Sequence, residues 1–99
     1  MRRHYLITYD ICDEHRLRRV HKIVCDFAHP VQYSVFLGQL SELQKAELTR
    51  RLAHTIHHEF DQTILFDLGK VHGQHEIELP AHQVVGRPLS VPLSRALVF

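Results

Sequence analysis

The sequence predicts an α+β domain of ferredoxin-like plan, a βαββαβ sandwich in which two helices cover one face of an antiparallel sheet, with an additional C-terminal strand. Three observations carry this. Apolar residues alternate over residues 4–11, they recur at helical spacing over 17–27 and 48–56, and the order of stretches reads β-α-β-(β)-α-β. At 99 residues the chain has the size of one domain. A domain this small buries a modest fraction of its surface, so association would stabilise it. We divide it into a ferredoxin-like core over 1–79 and a C-terminal strand or tail over 80–99.

In the first stretch Tyr5, Ile7, Tyr9 and Ile11 face one way and Leu6, Thr8 and Asp10 the other. Both sides are β-favouring, as in a central strand covered on both faces. Asp13 suits an N-cap, and Glu14 suits the positive end of the helix that follows. Leu17, Val20, Ile23, Val24 and Phe27 form its apolar stripe, and Pro30 stops it. Residues 31–40, VQYSVFLGQL, read as a strand with Val31, Tyr33, Val35 and Leu37 on one face and Gly38 at a bulge or bend. The plan wants two strands here, so either this stretch bends to serve as both or it holds a short hairpin.

Ser41 and Gln44 match a capping box. The second helix is expected over about 42–57, with Leu48, Leu52 and Ile56 inward. A strand over 62–68, a turn over 69–73 and a weaker strand over 74–79 complete the core. The tail carries Pro80, Pro88 and Pro92 between apolar pieces. That composition is too apolar for a solvated tail and points to packing against another surface.

The net charge of +1 gives no bulk field directed at nucleic acid, so local clusters must make that case. No apolar run is long enough to span a membrane, and Met-Arg-Arg-His lacks a signal-peptide core, so a soluble, cytoplasmic protein is expected. Cys12 and Cys25 have no metal-type spacing and read as reduced, structural thiols.

The "YDI" that closes strand one, the Asp- and Arg-rich start of helix one and "VQYSVF" before helix two, in this order, resemble the small CRISPR adaptation protein family Cas2 over residues 4–68. The resemblance implies a homodimer in a prokaryotic cytoplasm that binds the CRISPR integrase subunit and duplex DNA during spacer acquisition. It also implies a metal-dependent endonuclease acting on RNA or double-stranded DNA, with Asp10 as the catalytic, magnesium-binding residue; other divalent cations are compatible with a carboxylate.

The residues allow this chemistry independently. A carboxylate ending a central strand needs a capping role, an arginine or a cation. Magnesium favours oxygen ligands and keeps its waters, so one or two carboxylates hold it. A two-fold dimer would present Asp10 twice. One carboxylate per subunit is a sparse site, with no general base beside it, so slow cleavage is expected. Asp13, Glu14, Asp61 and Asp67 are further acids, with Asp61 read as the start of a strand.

Arg16, Arg18, Arg19 and Lys22 form a positive stripe suited to sequence-independent phosphate contacts, extended in this reading by Arg50 and Arg51. Ser34 is placed to support Asp10 by a hydrogen bond across the sheet, while Tyr33 and Phe36 read as core aromatics. His54, His57 and His58 have a chelating i, i+3, i+4 spacing but read as surface residues at a helix end. Two rivals stand beside this reading: a free-standing toxin-like ribonuclease of the same fold, and a non-catalytic scaffold or interaction module.

Overall fold

A computed structural model describes residues 1–72 and 80–89. Its elements are β1 (Arg3–Asp10), α1 (Glu14–Cys25), β2 (His29–Gln32), β3 (Val35–Leu40), α2 (Glu42–Thr55) and β4 (Gln62–Lys70). The strands form one sheet in the order β2-β3-β1-β4, with every neighbouring pair antiparallel. This is the ferredoxin-like plan expected.

Asp13 caps α1, its carboxylate accepting from Arg16 N at 2.9 Å. Ser41 and Gln44 close the capping box at the start of α2. Tyr5, Ile7 and Tyr9 of β1 and Phe36 and Leu40 of β3 form the sheet's contribution to the core. Val20, Ile23 and Val24 of α1 and Leu48 and Leu52 of α2 cover them, with Ala28 beside. Leu6 and Thr8 face the other side, level with Leu37 and Val35 on β3 and Phe66 and Ile64 on β4.

Several expectations need correction. Residues 31–40 are not one strand: β2 and β3 form a hairpin around Tyr33–Ser34, so the second strand begins at His29. Pro30 lies in β2, an edge strand, where a missing N–H is tolerated. Tyr33 is not a core residue; the turn carries it out to 83 % exposure, while Phe36 is buried as expected. Gly38 makes no bulge. An added Cβ would lie 3.0 Å from Phe27 O and 3.1 Å from Ala28 Cβ, so glycine lets the α1–β2 connection cross β3 closely.

The turn expected over 69–73 starts too early, because β4 continues through Gly69 at φ 104° to Lys70. The strand over 74–79 lies outside the described residues. In the tail, residues 80–89 form no strand; they lie across the outer face of the sheet, enclosing a groove with Leu6, Val31, Leu37 and Leu68. Residues 90–99 lie outside the described part. No helix among the described residues is long and apolar enough to cross a membrane.

Candidate metal and nucleic-acid site

The β1–α1 junction gathers three aspartates with three different fates. Asp61, just before β4, is fully buried at its side chain. Its carboxylate accepts from Cys12 N at 2.9 Å, His57 N at 2.8 Å, Arg16 Nε at 2.6 Å and Arg16 Nη2 at 3.2 Å. The Arg16 guanidinium, helped by the two backbone donors, holds the Asp61 carboxyl well below the usual carboxylate range. Asp13 is occupied by its cap, and the Arg16 backbone N–H draws its pKa down. Asp10, at the end of β1 opposite Gln62, is exposed. Its carboxylate makes no hydrogen bond or ion pair among the described residues.

Asp10 is therefore the strand-end carboxylate left open to a cation, with Glu14 exposed nearby in the first turn of α1. No group of three His, Cys, Asp or Glu side chains among the described residues is close enough to hold a metal. One hard oxygen donor fits magnesium that keeps most of its waters. It does not fit zinc, which takes three or four protein ligands.

The basic residues divide likewise. Arg18, Arg19 and Lys22 are exposed on one side of α1, the Arg18 Nη2 lying 3.4 Å from His15 Nδ1. Arg16 stands apart. Three-quarters of its side chain is covered and its fork closes on Asp61, so its charge is spent inside the protein. Arg50 and Arg51 do not extend the stripe as free cations: Arg50 pairs with Glu47, and Arg51 lies 3.0 Å from Asp26 and 5.5 Å from the Phe27 ring centroid. Among the described residues no carboxylate pairs with Arg18, Arg19 or Lys22.

Ser34 adopts φ 59°, a left-handed conformation uncommon for a residue other than glycine. Its carbonyl, 3.4 Å from Tyr9 N, ties the turn to β1. No hydrogen bond from its hydroxyl to Asp10 is found among the described residues. Tyr9 OH lies 3.0 Å from His21 Nδ1, and both rings pack on Phe36, Tyr9 stacked at 5.9 Å and His21 edge-on at 5.5 Å. Sequence reasoning missed this aromatic group. Its members, Tyr9, His21 and Phe36, come from β1, α1 and β3, so no local pattern marks them.

The histidine spacing 54, 57, 58 does not survive as one helical face, because α2 ends at Thr55. His58 Nε2 lies 2.9 Å from Ala53 O, and His57 Nδ1 accepts from Glu59 N at 3.2 Å. Cys12 and Cys25 are free and exposed.

The fold and this junction define an α+β domain with an open strand-end carboxylate. The family profile described as CRISPR associated protein Cas2 matches residues 2–74. A CRISPR-associated endoribonuclease Cas2 of Thermodesulfovibrio yellowstonii is 35 % identical over 68 residues, 69 % of this chain and 75 % of that protein. The endoribonuclease Cas2 of Geobacter sulfurreducens is 29 % identical over 65 residues, covering 66 % and 68 %. Among solved structures, Streptococcus pyogenes Cas2 matches with TM-score 0.62 and 31 % identity over 67 % of this chain and 86 % of that one. A hypothetical protein from Thermus thermophilus gives TM-score 0.67 at 27 % identity, covering 85 % and 98 %. The chain belongs to the Cas2 family.

Proposed function

We propose that the chain acts as a homodimeric subunit of the CRISPR adaptation complex, holding duplex DNA beside the integrase subunit. A slower magnesium-dependent cleavage of RNA or duplex DNA at Asp10 accompanies this role. The observation that carries the proposal is the state of Asp10 within a Cas2-family chain: its neighbours Asp13 and Asp61 are consumed by the cap and the Arg16 pair, and Asp10 alone ends the strand open. The relatives' name of endoribonuclease supports hydrolysis of a phosphodiester as the reaction class.

In a two-fold dimer built on the outer sheet face, Asp10 of each copy points toward the partner sheet. Paired Asp10 carboxylates would hold the magnesium ion. When bound, the ion supplies a polarised phosphodiester and a water of lowered pKa. Arg18, Arg19 and Lys22 would position the backbone by phosphate contacts that carry no sequence information. The scaffold reading is supported by one observation, that among the described residues no group of three His, Cys, Asp or Glu side chains surrounds Asp10.

Wild type and Asp10→Ala decide between the two. Cleavage of RNA and duplex DNA is measured with magnesium and with chelator, alongside spacer acquisition in cells. Loss of cleavage and acquisition together makes Asp10 catalytic in the task. Acquisition that survives Asp10→Ala leaves the scaffold.

A further inference from the structure

His21 and Cys25 stand one turn apart on α1, on the same face of the helix. Both are exposed, and Cys25 Sγ lies 3.5 Å from His21 Nε2. The imidazole is held from its other side. His21 Nδ1 lies 3.0 Å from Tyr9 OH, and the ring packs edge-on against Phe36 at 5.5 Å. That leaves Nε2 as the ring nitrogen turned toward the sulfur. A metal-binding histidine is commonly fixed in this way, through a hydrogen bond at the nitrogen that does not ligate. Cys25 is also the last residue of α1, where the partial negative charge of the helix end favours a cation. The reading of α1 as a phosphate-binding stripe uses neither this thiol nor this imidazole.

A thiolate and an imidazole form a soft donor pair, which suits copper(I) and zinc among the common ions. Donor number separates the two. Zinc takes three or four protein ligands, and among the described residues no third His, Cys, Asp or Glu joins the pair. Copper(I), a closed-shell monovalent ion, is satisfied by two. Charge points the same way. Arg18 and Lys22 lie on this helix, so an added divalent cation would be repelled. Copper(I) takes the place of the thiol proton, one positive charge for another, and leaves the local charge unchanged. We propose that Cys25 Sγ and His21 Nε2 bind one copper(I) ion, as thiolate and neutral imidazole, with the Tyr9 hydroxyl orienting the ring. The thiol proton goes to solvent and the copper keeps its oxidation state. Rotation of the exposed Cys25 side chain opens the gap for the ion. Cys12 takes no part, since its thiol donates to Phe60 O at 2.9 Å.

The test titrates the full-length protein with copper(I) under anaerobic conditions, against bicinchoninate as a coloured competitor. Wild type should retain one copper(I) ion per chain. Cys25→Ser and His21→Gln should each weaken binding by at least about tenfold, the range over which even outer partners of a metal site act. Cys12→Ser should keep wild-type affinity. Zinc at equal concentration should not displace the copper. Alkylation by iodoacetamide, read by mass spectrometry, gives a second measurement: copper(I) should shield Cys25 and leave Cys12 open. Both site residues are exposed, so the variants should keep the wild-type helix content in circular dichroism. The proposal is overturned if wild type yields all its copper to the competitor, or if either Cys25→Ser or His21→Gln binds as tightly as wild type. Loss with Cys12→Ser, displacement by zinc, or equal alkylation of Cys25 with and without copper(I) would overturn it as well.

Discussion

Asp61 joins three parts of the chain through one carboxylate: the β1–α1 loop at Cys12, helix α1 at Arg16 and the end of the α2 connection at His57. Replacing it with alanine strands Arg16 and two backbone N–H groups, and destabilisation of about 3 kcal/mol is expected in urea unfolding at neutral pH. The pH dependence follows from the same contacts. The folded-state pKa of Asp61 lies below its ordinary value of 3.8, so the unfolded state binds the proton more readily. The stabilisation is therefore complete well above pH 4 and is lost as pH falls through 3.8 toward the lower folded value. Asp13 and Asp67 shift in the same direction but are partly exposed, so solvent screens their share. Asp61→Asn should flatten the stability-against-pH curve between pH 5 and pH 3, approximately the range in which carboxylates protonate. A mutant curve parallel to wild type would contradict this account. The sequence showed Arg16 as one more cation of a helical stripe and Asp61 as the start of a strand. A pair 45 residues apart leaves no local pattern, and only the return of the chain at β4 brings it together.

Helices were more legible than strands. Capping residues and the apolar stripe act within one turn, so Asp13, Ser41 and Gln44 marked both helix starts correctly. Ser41→Ala should cost about 1 kcal/mol of thermal stability, measured by circular dichroism. The β2–β3 hairpin was ambiguous for a physical reason. A two-residue turn, together with the irregular pairing between Pro30 and Gln32, leaves Val31 and Leu37 on the outer side of the sheet. The odd-numbered alternation therefore runs on as if the strand never turned. Gly38 shows what the hairpin requires of its neighbours. A methyl group there meets Phe27 O and Ala28 Cβ, one of them backbone, so relief needs the whole α1–β2 connection to move. Gly38→Ala should destabilise by about 1–3 kcal/mol, in the range of overpacked cores. Denaturation that is unchanged by this methyl would mean the connection yields freely.

At the scale of the whole molecule, the sheet has a second face that its own helices do not cover. Ile64, Phe66 and Leu68 on β4 are 36 %, 47 % and 45 % exposed, beside Leu6 and Leu37. Segment 80–89 covers only part of this surface. Alternation in β1 had indicated a strand apolar on both faces, and the composition of the tail had indicated packing on a surface. Neither could say which surface, because contact between distant segments depends on the sheet order and not on any local pattern. An apolar sheet face of this kind is what a two-fold partner buries, and the same packing would bring two Asp10 residues toward one another. Phe66→Asp places a charge in the middle of that face. In sedimentation velocity the wild type is expected as a dimer, and the variant should dissociate with affinity reduced by a factor on the order of 30 or more. Its helix content should be unchanged, because Phe66 lies away from the helix-side core. The variant should also lose magnesium-dependent cleavage while its stripe still binds phosphates, since the proposed site takes one Asp10 from each copy. A monomer that cleaves as fast as wild type would show that Asp10 works alone and that the paired site is not how this protein performs its chemistry.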